Sequence, residues 1–171
     1  MHNGPAVFAG GYTSLERPWG ECNPHARIID WAIIDMRQIR ALSIRQPWAA
    51  LLVAGLKTIE VRSWWTGHRG LVLIHASKIP DPRPEIWAKL PGSFQDLARL
   101  RGGIIGQATL TNCRVYAFAS DFAADVKWHL NDADWFEPPR LYGFEFAHPE
   151  VLPFRECRGQ TRFFTVSEGQ A

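Results

Sequence analysis

Apolar and polar positions follow a tight pattern between Leu42 and Lys78 (LSIRQPWAALLVAGLKTIEVRSWWTGHRGLVLIHASK), and the rest of the chain is organised around it. Ala41 to Ile44 read as a short apolar strand, which Gln46-Pro47-Trp48 turns into a helix. Proline suits a first helical turn, where its missing N–H costs nothing and its φ is already helical. The helix, Trp48 to Ala54, is apolar on nearly every side and should be buried, with Gly55 ending it. Lys57 to Arg62 then alternates with a period of two. This predicts a strand with Lys57, Ile59 and Val61 on one face and Thr58, Glu60 and Arg62 on the other. Ser63 to Gly67 forms a loop, and Gly70 opens a buried strand, Leu71 to Ala76, with His75, Ser77 and Lys78 at its end.

Further along, Pro80-Asp81-Pro82-Arg83-Pro84 forces an extended loop, because each proline biases its predecessor away from helix. Short helices are expected from Glu85 to Leu90 and, with Ser93 as N-cap and Asp96 three residues on, to about Leu100. Ile104 to Leu110 reads as a strand with Gly106 as a bulge or point of close approach, continued by Cys113 to Phe118. Asp121 to Trp135 has poor periodicity and reads as a loop with helical turns. Tyr142 to Phe146, Val151 to Arg155 and Thr161 to Val166 are the closing strands, the last two joined through Gly159. Short strands with helices inserted at one end predict an α+β domain built on a closed or partly closed barrel.

Residues 1–35 carry little periodicity beyond one apolar run, Ile28 to Ile34, and are expected to be a disordered or loosely packed extension. The domain proper is expected over 36–171, and a truncation starting at Met36 should keep the same cooperative melt. The 171 residues suffice for one domain with a proper core. No apolar run approaches the roughly 20 residues that span a bilayer, so a soluble, cytoplasmic protein is expected. Cys22, Cys113 and Cys157 lack metal-ligand spacing and fit neither a disulfide framework nor a zinc site, and no metal or cofactor is expected.

Charge and aromatic content sharpen the functional reading. Net charge is only +2, but residues 1–35 carry −2 and the remainder +4, a mildly basic domain that tolerates nucleic acid without demanding it. Of 8 tryptophans, Trp48, Trp64 and Trp65 crowd the central stretch. Core packing is the expectation for Trp48. Trp64 and Trp65, beside Ser, Thr and Gly, could equally offer an exposed stacking surface.

Each candidate has a bland reading beside the sharp one. Lys57 could form an inconsequential surface ion pair or be a positioned cation for a phosphate or base carbonyl. Glu60 and Arg62 could simply pair in solvent. In a cleft, Glu60 could accept from an exocyclic amine or ring N–H, as carboxylates do on cytosine, or act as a general base, with Arg62 as clamp. His75 is more simply a satisfied core or rim residue. Neither Ser63 nor Ser77 lies in a G-x-S-x-G turn, so a serine-hydrolase elbow is absent. Arg155, Arg158 and Arg162 are a solvated face unless that face adjoins the cleft, when they become a backbone-tracking strip.

The stretch SIRQPWAALLVAGLKTIEVRSW with GHRGLVLIHASK resembles the signature of the ASCH family, domains of the PUA-like superfamily. GGIIGQATLTNC and YGFEFAHPEVLPFRECRGQTRFFTV extend the resemblance over residues 39–167. It implies a small PUA-like β-barrel with flanking short helices and a cleft for RNA, DNA or modified nucleosides. The residues expected to line that cleft are Gln46, Trp48, Lys57, Glu60, Arg62, Ser63, Trp64, His75, Ser77 and Lys78. One branch of the resemblance implies an enzyme, since similar small bacterial proteins hydrolyse N4-acetylcytidine with a lysine, a threonine nucleophile and a glutamate. Lys57 matches their lysine, but Glu60 stands where their threonine would be. Other members of the family imply a single-stranded RNA nuclease, for which no complete catalytic set maps here.

Three readings therefore stand side by side. The first is a domain that binds RNA or another single strand, or a modified base. The second is a hydrolase of RNA or acylated nucleosides, with Lys57 and Glu60 as its catalytic groups. The third is a protein-interaction module of a transcription or translation regulator.

Overall fold

A computed structural model of the chain describes residues 39–166. The extension expected over residues 1–35 and the truncation at Met36 lie outside the described residues. Six strands and five short helices follow in order: β1 Arg40–Ile44, α1 Trp48–Val53, β2 Ile59–Arg62, β3 Gly70–Ala76, α2 Pro84–Trp87, α3 Gln95–Arg99, β4 Gly103–Tyr116, α4 Ala119–Ala124, α5 Val126–His129, β5 Leu141–Glu156 and β6 Phe163–Thr165. Single 3-10 turns precede α3 and follow α5. The expected α+β architecture is present. The expected strands are all there, but Ile104–Leu110 runs on to Tyr116, and Tyr142–Phe146 and Val151–Arg155 are one strand, β5.

The strands form one sheet in the order β2-β5-β4-β3-β1-β6, with β1 and β3 parallel and every other neighbouring pair antiparallel. The backbone ladder stays open, leaving β2 and β6 as its edges. Side chains bridge the gap instead. Arg62 at the end of β2 donates from Nη2 to the Ser43 carbonyl of β1 at 2.7 Å. Phe144 of β5 stacks on Phe163 of β6 at 5.9 Å, and Trp64 meets both edge-on.

Alternation along β3 explains the two-sided core. Val72, Ile74 and Ala76 face the main cluster with all of α1, while Leu73 joins a smaller cluster of Ala41, Ile104, Leu152 and Phe164 on the other face. Every residue of α1 is buried, as an all-round apolar helix must be, and Gly55 follows it at φ 75°. Gly106 is a point of close approach: a Cβ there would lie 2.5 Å from the Glu150 carbonyl, and the strand register shifts beside it.

Two local expectations fail. Ser93 is not a helix cap, since α3 begins after Phe94 with no side-chain cap. Lys57 is not on the Ile59/Val61 face of a strand. It precedes β2, which starts at Ile59, so the period-two rule does not reach it, and its side chain contacts Glu60 instead.

Candidate functional site

The gap between β2 and β1 opens into a cleft of about 1490 Å³, lined also by the end of β3, the Ile79–Arg83 segment and residues 156–162. Seven Lys or Arg side chains line it against four Asp or Glu. The basic excess of the chain is thus gathered here.

The inner wall is built around a buried lysine. Lys57 is 2% exposed, and its ammonium donates to the Ile59 carbonyl at 2.7 Å and the His129 carbonyl at 2.8 Å. It also sits 3.4 Å from Glu60 Oε2 and 4.8 Å from the Trp48 ring centre. Burial lowers the Lys57 pKa, against the pull of Glu60 that raises it. Glu60 Oε1 receives Arg62 Nη2 at 3.1 Å, so this carboxylate lies between two cations. Arg62 Nε is buried without a partner among the described residues.

His129, which supplies one of the carbonyls around Lys57, is fully buried. Its Nε2–H donates to the Phe122 carbonyl at 2.8 Å, and its Nδ1 accepts from the Asn131 backbone N–H at 3.0 Å. One acceptor and one donor fix the neutral tautomer, and burial lowers its pKa. Asn131 lines the cleft, 5% exposed, and its side-chain amide has no hydrogen bond among the described residues.

A second buried acid belongs to the same wall, through Trp48. Asp81 accepts from Trp48 Nε1 at 3.0 Å, from Arg83 Nε at 2.8 Å and from Arg83 Nη2. The Arg83 hydrogen bonds hold its carboxyl well below the usual range despite burial. Arg83 in turn stands over Trp135, its guanidinium carbon 3.5 Å from the ring centre.

On the opposite side, His75 is 2% exposed and satisfied at both nitrogens. Nε2–H faces the Cys157 carbonyl at 3.1 Å, and Ser43 Oγ lies 3.1 Å from Nδ1. Desolvation lowers its pKa, so the neutral ring accepts from the serine hydroxyl. Gly159 is pressed against this pair: a Cβ there would lie 2.4 Å from His75 Cε1 and 2.7 Å from Ser43 Oγ. Outside it, Arg158 and Arg162 line the rim with Arg45 and Lys78, all four exposed, and Arg162 stands 5.5 Å above the Trp64 ring.

Of the ten residues expected to line the cleft, nine do. Gln46 does not. It is fully buried, with Oε1 accepting from the Ala50 N–H and Nε2 donating to the Leu97 and Leu100 carbonyls, all at 3.1 Å. A buried amide has to spend its groups on the protein, and here it clasps the start of α1 to α3. Trp65, weighed as a stacking surface, is 60% exposed but lies outside the cleft. Arg155 also stays outside it, whereas Arg158 and Arg162 join it.

Sequence reasoning missed Ser43, Asp81, Arg83, Asn131 and Trp135. For Asp81 and Arg83 a signal existed: an Asp-x-Arg pair held rigid by prolines at 80, 82 and 84. Asn131 had none, because only the fold carries it to the cleft. Among the described residues no three His, Cys, Asp or Glu side chains converge as metal ligands would. Nor is any helix there long and apolar enough to cross a membrane.

Fold and cleft together define a PUA-like domain with an open, polar groove at the seam of its sheet. The chain belongs to the ASCH domain family, whose model matches residues 42–150. The ASCH protein of Zymomonas mobilis has the same fold, with a TM-score of 0.54 at 14% identity over 78% of this chain and 91% of that one. A single-residue variant of it also gives 0.54 at 14%, over 79% and 92%. In sequence, 54 residues are 56% identical to human activating signal cointegrator 1, covering 32% of this chain and 9% of that protein. The mouse counterpart matches at 56% over 43 residues, 25% of this chain and 7% of the relative. The matched segment is thus under a tenth of the length of these curated relatives.

Proposed function

We propose that this domain binds single-stranded nucleic acid, RNA foremost, with an unstacked base in the cleft and its phosphates on the rim. One observation carries the reading: a buried carboxylate, Glu60, opens on a cleft whose lining is otherwise dominated by cations. A site for phosphate alone gains nothing from a carboxylate, whereas a base edge with N–H donors does. The PUA-like family of the fold is commonly linked to RNA binding, which agrees. Size agrees too. About 1490 Å³ exceeds the roughly 300–1,000 Å³ of an ordinary small-molecule pocket, so the cleft suits a strand better than a lone nucleoside.

The division of labour differs from the one the sequence implied. Lys57 commits its ammonium to two carbonyls and Glu60, so it orients the carboxylate. Phosphate neutralisation falls to Lys78, Arg45, Arg158 and Arg162. Trp64 supplies a ring that Arg162 already caps on one side, and Trp48 and Trp135 wall the inner end.

The test compares RNA, single-stranded DNA and free nucleosides across a salt series. Lys78→Ala should weaken all sequences alike and flatten the salt dependence by about one unit of slope. Glu60→Gln should change which base is preferred and leave the slope alone. Uniform loss of affinity in both variants would reduce Glu60 to scaffolding and remove the base-reading cleft.

A hydrolase of RNA or acylated nucleosides is the second reading. The observation favouring it is the Ser43 hydroxyl hydrogen-bonded to a neutral, oriented imidazole at the cleft wall. Incubation with N4-acetylcytidine and with single-stranded RNA decides between them. Turnover lost in Lys57→Ala, Glu60→Gln and Ser43→Ala would put hydrolysis first. A salt-insensitive protein partner without nucleic-acid retention would instead favour the interaction module.

A further inference from the structure

We propose that the inner end of the cleft is a guanine site, read by Glu60 and Asn131. This rests on the reading that the cleft takes single-stranded nucleic acid, and adds which base it selects.

The inner end of the cleft holds unspent hydrogen-bonding capacity. A carboxylate offers about four acceptor positions, two on each oxygen. In Glu60 the protein contacts Oε1 through Arg62 at 3.1 Å and Oε2 through Lys57 at 3.4 Å. Each oxygen therefore keeps an acceptor position, on a residue 8% exposed that lines the cleft. Asn131 is a second such group, 5% exposed, with a side-chain amide that bonds nothing among the described residues. The amide atoms are not sealed in the protein but open on the cleft, so they are available to whatever enters it. The two belong to one end of the cleft. Lys57 touches both Glu60 and the His129 carbonyl, and the Asn131 backbone is bonded to the His129 ring.

Base chemistry then discriminates. Two adjacent carboxylate oxygens call for two adjacent donors, and at neutral pH guanine presents them as its ring N1–H and exocyclic N2–H. Cytosine and adenine each place an acceptor nitrogen beside their amine, facing the second oxygen with repulsion. Uracil flanks its single N–H with carbonyls. Guanine also carries the O6 and N7 acceptors that an asparagine amide can donate to. At the same end, the Arg83 guanidinium on Trp135 supplies a flat cationic surface suited to an electron-rich base.

The decisive measurement needs no variant. Binding of the intact chain is compared for oligouridine hexamers carrying guanosine, inosine, adenosine or cytidine at one central position. Guanosine should bind tightest. Inosine, which keeps N1–H and O6 but lacks the N2 amine, should bind at least about tenfold more weakly, the worth of one hydrogen bond to a charged acceptor. Asn131→Ala should weaken guanosine and inosine equally, since both keep O6 and N7. Glu60→Gln, checked by melting to be folded, should erase the guanosine-over-inosine preference. Equal affinity for guanosine and inosine, or a preference for cytidine, would overturn the guanine site. If all four hexamers bind equally with a steep salt dependence, the guanine site falls while nucleic-acid binding stands. If none binds, both fall.

Discussion

The two sides of the cleft solve opposite problems. On the inner wall, Lys57, Glu60, Asp81 and His129 are taken out of water and held by several partners each. On the rim, Lys78, Arg158 and Arg162 stand in solvent. A charge withdrawn from water must be compensated by neighbours, so the inner wall is rigid and its parts depend on one another. A charge left in water costs little and can be exchanged freely, so the rim is adaptable. On the proposed function, general and salt-sensitive affinity would belong to the rim and selectivity to the wall. Lys57 shows why residue type alone misleads, since a lysine beside a cleft looks like a phosphate grip until its partners are known.

Substitutions should separate the two sides by size of effect. Lys57→Ala leaves two carbonyls and one side of Glu60 without their donor, and chemical denaturation should record a loss of about 3–5 kcal/mol, typical of breaking a buried pair. A loss as small as that of a rim residue would contradict the contrast. Gly159→Ala drives a methyl into His75 and Ser43, and should cost about 1–3 kcal/mol by the same assay, as overpacking does. Unchanged stability there would mean that the loop simply lifts away.

Acid should act on the wall before the rim. His75 and His129 are both held below the ordinary histidine value of 6.5 by burial. The unfolded chain therefore binds protons that the folded one refuses. Their contribution is fully present above a pH of about 6.5 and declines as the pH falls from there. His129 should dominate, because a proton on Nδ1 would confront the Asn131 N–H, whereas the Ser43 hydroxyl beside His75 can rotate. Melting temperatures measured from about pH 7.5 down to pH 5 should fall, and less steeply in His129→Gln. The smallest effect belongs to Arg158→Ala. It should move stability by less than about 0.5 kcal/mol, while the salt slope of RNA binding drops by about one.

The sequence by itself determined the elements around the site. Period-two alternation in β2, the apolar run of β3, an all-apolar α1 and its terminal glycine are local patterns, and local patterns survive into any fold that buries their apolar face. It also put Glu60 and Arg62 on one strand face, where they do pair, while the same spacing placed Lys57 on the other face. Only the tertiary structure decided what those groups do. Gln46 became a clasp because Leu97 and Leu100, some fifty residues away in sequence, present carbonyls to it. Lys57 became a positioning group because His129, 72 residues on, closes over it. The same long-range folding delivered Asn131 to the cleft and brought Arg158 and Arg162 to its edge. Partners distant in the chain leave no local pattern. Burial and hydrogen bonding, which set the role of a polar side chain, are fixed by those partners.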